Sequence, residues 1–235
     1  MIISYSRRFI FLKTQKTAGS SVEIALSTLC GPQDVLTNLS SDEEALRLAR
    51  GRGCQNIEIP AQYRPWWSKA ALEFTGLRQV RYARNYRSHM PAGEIRKRMD
   101  PTLFDAFRKF TIVRNPWDRE VSLYYWDARN RKNPAEFADF VRRRSTDFER
   151  KTFNLFAIDG EVVATDVLRY ETLSADYERF VRSLGVTDVP PLANAKAGHR
   201  PSTRRDYRDL YDERTRDIVA RRYAREIETF GYAFE

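Results

Sequence analysis

Residues 9–12 read Phe9-Ile10-Phe11-Leu12, and residues 13–21 read Lys13-Thr14-Gln15-Lys16-Thr17-Ala18-Gly19-Ser20-Ser21; the order of these two blocks decides the fold. Four successive apolar residues without alternation fit a short strand buried on both faces, as in a parallel sheet. The second block holds no apolar residue larger than alanine. Val22, Ile24, Ala25 and Leu29 then recur at helical spacing until Gly31-Pro32 stops the helix. The opening is therefore strand, polar loop, helix.

The same grammar recurs further along the chain. Phe110-Thr111-Ile112-Val113 is a second strand, running through Arg114-Asn115-Pro116 into a predicted helix over 117–128. A third strand is predicted over 166–170, followed by a helix over 175–184 that Gly185 closes. Ser41-Asp42-Glu43-Glu44 has the capping-box pattern and predicts a helix ended by Gly51. A short helix over 91–99 opens on a proline, and another is predicted over 136–144. The spacing of Ile218, Val219, Tyr223, Ile227 and Phe230 predicts one helical stripe over 212–230. Residues 79–83 read as a further candidate strand, and the stretch 54–76, with Pro60, Pro65, Trp66 and Trp67, is irregular. Strands alternating with helices predict an α/β fold: a parallel sheet with helices on both faces, in three layers. No repeat or Gly/Ser/Pro-rich linker divides the chain, so one domain over 1–235 is expected.

Composition narrows the partner. Of 235 residues, 41 are Lys or Arg and 32 Asp or Glu, a net charge of +9, while 42% are hydrophobic. That supports a real core and excludes a disordered tail or a disulfide-stapled miniprotein. It also predicts an anionic partner: nucleic acid, membrane surface, an acidic polymer, or a phosphorylated or sulfated small molecule. Two cysteines, Cys30 and Cys54, and two histidines, His89 and His199, make a poor basis for a structural zinc site. The apolar run 9–12 is too short for a signal peptide, and no stretch is long enough to span a bilayer. The expected location is the cytoplasm, with a basic charge that allows contact with the inner face of the membrane.

Two segments carry chemistry. The loop 13–21 sits between a strand and a helix, where backbone N–H groups and the positive helix end favour an anion. Lys16 adds a point charge, Thr17, Ser20 and Ser21 add hydroxyls, and Gly19 permits close backbone approach. The Walker A order is absent, because Lys16 precedes Gly19. Taken alone, the loop fits an ordinary polar turn equally well. In the second segment Arg114 leaves the carboxyl end of a strand, and Ser122 follows eight residues later on the next helix. An Arg fork with a hydroxyl suits a dianionic phosphate. An internal ion pair of Asp118 with Arg119 that orients the loop is one alternative, and a plain helix start, with Asp in its first turn and Arg outside, is the competing reading.

Together, Gln15-Lys16-Thr17-Ala18-Gly19-Ser20-Ser21 and Arg114-Asn115-Pro116-Trp117-Asp118-Arg119, with Ser122, resemble the sulfotransferase superfamily, whose members use 3′-phosphoadenosine 5′-phosphosulfate (PAPS). Residues 104–125 and 207–234 are similar to the Golgi-type and bacterial carbohydrate branch. The resemblance covers most of the chain and is weakest over 54–76. Gln15 stands where many members have proline, which alters loop stiffness and removes no donor. The Arg-Lys-Gly segment of the cytosolic branch is missing, and Arg204 and Arg205 are offered in its place.

The resemblance implies a P-loop-kinase-like fold and PAPS as sulfuryl donor. Lys16 would sit by the oxygen bridging sulfur and phosphorus; Lys16, Thr17, Ala18, Gly19, Ser20 and Ser21 would hold the 5′-phosphosulfate. Arg114 and Ser122 would fix the 3′-phosphate. His89, in Tyr86-Arg87-Ser88-His89, falls where that branch places a catalytic histidine and suits proton transfer near neutral pH, though a solvated or capping loop histidine fits the residues as well. His199 is expected on the acceptor side or the surface. A sulfuryl group carries less charge than a phosphoryl group, so a lysine is expected to suffice and no metal is expected. The implied acceptor is a hydroxyl of a carbohydrate or glycolipid, with no nucleic acid partner. Two other classes stand beside this reading: a non-catalytic basic protein binding nucleic acid or acidic membrane, and a P-loop-like small-molecule kinase. Trp126 and its neighbours Tyr124 and Tyr125 are expected to pack their helix into the core.

Overall fold

The computed structural model describes residues 1–65, 83–129, 131–144, 151–193 and 206–235. Its strands are β1 (Ile2–Ser4), β2 (Phe9–Leu12), β3 (Val35–Leu36), β4 (Arg108–Val113), β5 (Ala157–Ile158), β6 (Glu161–Val162) and β7 (Asp166–Arg169). Its α-helices are α1 (Gly19–Leu26), α2 (Ser41–Leu48), α3 (Ala92–Arg96), α4 (Pro101–Ala106) and α5 (Pro116–Ala128). The chain continues through α6 (Phe137–Arg143), α7 (Leu173–Ser183), α8 (Glu213–Arg222) and α9 (Ala224–Phe230).

Five strands form one sheet in the order β3-β1-β2-β4-β7. The predicted strands β2, β4 and β7 lie side by side and parallel, with Leu12 opposite Thr111 and Val113 opposite Arg169. The sheet is mixed at the other edge, because β1 runs antiparallel to both β2 and β3. Sequence reasoning did not anticipate β1. Its three residues are too few to register as a run, and the connection to β2 has no glycine or asparagine; Arg8 itself takes the left-handed conformation there, at φ 55°.

Successive side chains of a strand point to opposite faces, and here both faces are apolar. Phe9, Phe11, Phe110 and Ile112 meet Val22 and Leu26 of α1 and Phe180 and Val181 of α7. Ile3, Ile10 and Leu12 meet Ile95, Phe104 and Phe156 on the other side. Helices on both faces give the expected α/β layering. The rings of Phe11 and Phe110 stack at 4.5 Å, tying the two parallel strands together just before their loops. A third cluster, with Trp117, Val121, Phe140, Val219 and Tyr223, packs α5, α6 and α8 on one another.

Several boundaries differ from the expected ones. The α1 helix begins at Gly19, and its end tightens into a 3-10 turn over Ser27–Leu29. The cap of α2 is Ser40: its N–H and hydroxyl donate to Glu43 at 3.2 and 2.8 Å, one residue earlier than the Ser41–Glu44 pattern. The predicted C-terminal helix breaks at Tyr223, at φ −115° and ψ 26°. Its stripe divides there: Val219 and Tyr223 join the third cluster, whereas Phe230 packs against the β-sheet core. Of the candidate strand 79–83, only Ala83 is described, and it is helical; the remainder, with Trp66 and Trp67, lies outside the described residues. No helix among the described residues is long and apolar enough to cross a membrane.

Candidate active site

Because β2 and β4 are parallel neighbours, the loops leaving their carboxyl ends emerge side by side, the usual position of a ligand site in such sheets. The loops touch. Arg114 donates from Nη1 to the Lys16 carbonyl oxygen at 2.7 Å. Below that contact the Thr14 hydroxyl donates to the Ile112 carbonyl of β4 and lies 2.9 Å from the Thr17 hydroxyl. Lys16 and Ala18 both adopt left-handed backbone, each at φ 60°. For non-glycine residues that conformation costs roughly 1–2 kcal/mol apiece. Left-handed residues in a turn are the kind of backbone that suits presentation of successive N–H groups to an anion. The first N–H groups of α1, which lack intrahelical acceptors, follow directly.

Gly19 serves a purpose the sequence did not reveal. A Cβ there would lie 3.0 Å from Cγ and 3.1 Å from Cε of Lys13, so the close approach it permits is to the stem of that lysine. The buried ammonium of Lys13 meets Glu23 Oε2 and lies 3.4 Å from the Ser20 hydroxyl. One cation is thereby tied under the loop.

Arg114 is only 4% exposed. Its Nε donates to Asp118 Oδ2 at 2.7 Å, and its guanidinium lies 3.9 Å from the ring centroid of Tyr170. Asn115 caps α5, its Oδ1 accepting from the N–H of Trp117 at 3.0 Å. The backbone N–H of Asn115 donates to Glu171 Oε1 at 2.7 Å, and its Nδ2 donates to the Ala233 carbonyl at 2.9 Å. The suggested Asp118–Arg119 pair does not form: Asp118 takes Arg114, and Arg119 turns inward to Glu226. Ser122 lies one turn beyond Asp118 on the same half-exposed face of α5.

His89 joins the group from a separate loop. Its backbone is left-handed, at φ 57°, and its Nδ1 lies 3.1 Å from the Lys13 carbonyl oxygen. A carbonyl only accepts, so this bond places a proton on Nδ1 and makes Nε2 the ring nitrogen that can take another. Lys13 thus connects the histidine to the loop through its carbonyl and reaches Ser20 through its ammonium.

The structure therefore brings Lys16, Thr17, Ala18, Gly19, Ser20, Arg114 and His89 around the two loops, with Ser21 in the first turn of α1 and Ser122 further along α5. His199, Arg204 and Arg205 lie outside the described residues. Three participants were missed. Tyr170 and Glu171 directly follow β7, and the rule that ligands gather at the carboxyl edge of parallel strands was signal enough to flag them. Trp126 was expected in the core with Tyr124 and Tyr125. Tyr124 does pack on Phe137 and Phe140, but Trp126 is 47% exposed, with Lys16 Nζ 6.0 Å from its ring centroid. Among the described residues, no group of three or more His, Cys, Asp or Glu side chains is placed to hold a metal ion.

Two polar turns in contact at the carboxyl edge of a parallel sheet are the framework of an α/β protein suited to a polyanionic small molecule. The chain belongs to the sulfotransferase family: the profile described as "Sulfotransferase family" matches residues 1–233. An uncharacterized protein of Archaeoglobus fulgidus is 31% identical over 104 residues, 42% of this chain and 85% of that relative. No solved structure gives a significant match.

Proposed function

We propose that this sulfotransferase-family protein moves a sulfuryl group from PAPS to a hydroxyl of a carbohydrate or glycolipid, as one domain over residues 1–235. The observation that carries the reading is the 2.7 Å bond between Arg114 and the Lys16 carbonyl, which joins the two anion-suited turns in one place. The donor set fits PAPS: the backbone N–H groups of the turn, Ser20, Ser21 and Lys16 at one end, Arg114 and Ser122 at the other. Bound PAPS supplies the transferable group on a mixed anhydride. Lys16 holds its ammonium where the bridging oxygen gains negative charge. Gly19, Ser20 and Ser21 receive the 5′-phosphate, while Arg114 and Ser122 set the donor's register through the 3′-phosphate. His89, held by the Lys13 carbonyl, takes the acceptor proton on Nε2. Positioning and electrostatics then contribute most of the acceleration. No step is assigned to a metal or to nucleic acid, and the reading places the protein in the cytoplasm, with its basic surface free to meet the inner face of the membrane.

The test is transfer from labelled PAPS to a saccharide acceptor. Replacing His89 by Ala is expected to lower turnover by about 10²–10⁴-fold, as for loss of a general base. Affinity for adenosine 3′,5′-bisphosphate stays the same. Unchanged turnover removes His89 from the chemistry.

A further inference from the structure

The side chains of α5 divide by face. Val121, Leu123 and Tyr124 enter the third core cluster, while Asp118, Ser122 and Trp126, spaced by four, run along the face that starts at Arg114. The last of these is anomalous. Among the described residues Trp126 is the only aromatic side chain classed as exposed, and an indole left 47% open on a helix forgoes burial that its neighbours obtain. Two cations lie over its ring, Lys16 Nζ at 6.0 Å and Arg129 Cζ at 5.9 Å from the centroid. An α-helix rises about 1.5 Å per residue, so Trp126 stands roughly 6 Å beyond Ser122 and 12 Å beyond Asp118.

We infer that Trp126 is the platform on which the acceptor sugar ring stacks, and so a specificity-determining residue. The inference rests on the proposed sulfotransfer reading. In that reading Arg114 and Ser122 engage the donor on the N-terminal half of α5. A ring on Trp126 then lies outside the donor and beside Lys16, at the reacting end. A pyranose offers a face of C–H groups to an indole and carries its hydroxyls around the rim. The indole face also attracts the two cations over it, which a smaller apolar side chain would not do.

The experiment compares the wild type with W126A and W126F, using labelled PAPS and a panel of neutral and uronic-acid-containing tetrasaccharides. The best wild-type acceptor is carried forward. W126A is expected to raise the acceptor KM by about tenfold or more. Affinity for adenosine 3′,5′-bisphosphate, followed by calorimetry, stays level. W126F restores most of the acceptor affinity, which a merely structural role would not explain. An unchanged acceptor KM in W126A overturns the inference, as does a fall in bisphosphate affinity, which would put adenine on the indole. A wild type that binds the bisphosphate but sulfates none of the panel also overturns it. A wild type that neither binds the bisphosphate nor transfers sulfuryl defeats the underlying reading instead.

Discussion

Lys16→Ala is expected to lower turnover by about 10²–10³-fold, the loss seen when one preorganised stabiliser of developing charge is removed. The substitution is clean for a structural reason. What binds Arg114 is the main-chain carbonyl of residue 16, so the contact between the two loops survives loss of the side chain. Alanine also pays much the same penalty as lysine for left-handed backbone. The defect should therefore appear in the chemical step, read by single-turnover transfer from labelled PAPS, with fold stability preserved. Lys16→Arg retains the charge but spreads it over a planar fork, and recovery should be partial. Near-normal single-turnover rates in Lys16→Ala would move charge stabilisation to another residue.

The largest effect on stability is expected far from the loops, at Glu226. Arg119, on α5, donates to both carboxylate oxygens of Glu226 on α9, at 2.5 and 2.7 Å, with the two side chains 1% and 0% exposed. Burial works against the guanidinium charge, but Glu226, with help from Tyr223 and Glu120, holds the Arg119 pKa above its ordinary value. Removing the acid leaves a buried, uncompensated cation. Glu226→Ala should cost about 3–5 kcal/mol of unfolding free energy. For a chain of this size that lowers Tm by roughly 6–20 °C. Replacing both partners with apolar residues, Arg119→Met with Glu226→Leu, should recover much of the loss. Chemical denaturation of the single and double variants checks this; a loss below about 1 kcal/mol in the single variant would mean that the pair is screened. The pair matters to the site because α5 also carries Asp118 and Ser122. Beside it, Glu120 accepts from Arg222 at 2.9 Å and from Tyr223 at 2.8 Å, so the C-terminal helices clamp the helix that presents the second loop.

The parts of this arrangement that were legible in the sequence are those with local causes. Strands β2 and β4 lie inside the sheet and are buried, so they read as apolar runs followed by polar turns, whereas β7, at the edge, buries only Leu168. What remained hidden depends on partners distant in the chain. The strand β1 has only three residues and gains its identity by pairing with β2 and β3. Within α9, Ile227 joins the third cluster with Val219 and Tyr223 while Phe230 turns to the β-sheet core, a division that a single apolar stripe does not reveal. The buried pairs of Arg119 with Glu226 and Arg222 with Glu120 bridge 107 and 102 positions, and no short-range pattern announces them. Arg144, at the end of the helix predicted over 136–144, likewise turns in to Glu120 at 3.1 Å. Within the site, the glycine and hydroxyl residues were conspicuous. The support given to Arg114 by Tyr170, and to His89 by the Lys13 carbonyl, was not.

The most direct measurement is calorimetric titration of the protein with adenosine 3′,5′-bisphosphate, for the wild type and for Arg114→Ala and Ser122→Ala. The account predicts one site per chain, with affinity about tenfold or more weaker in each variant, as expected for loss of a bond to a charged phosphate. Ser122, on the open face of α5, keeps the result readable should the buried Arg114 also support the fold. Absence of binding in the wild type, or wild-type affinity in Ser122→Ala and in folded Arg114→Ala, would contradict it.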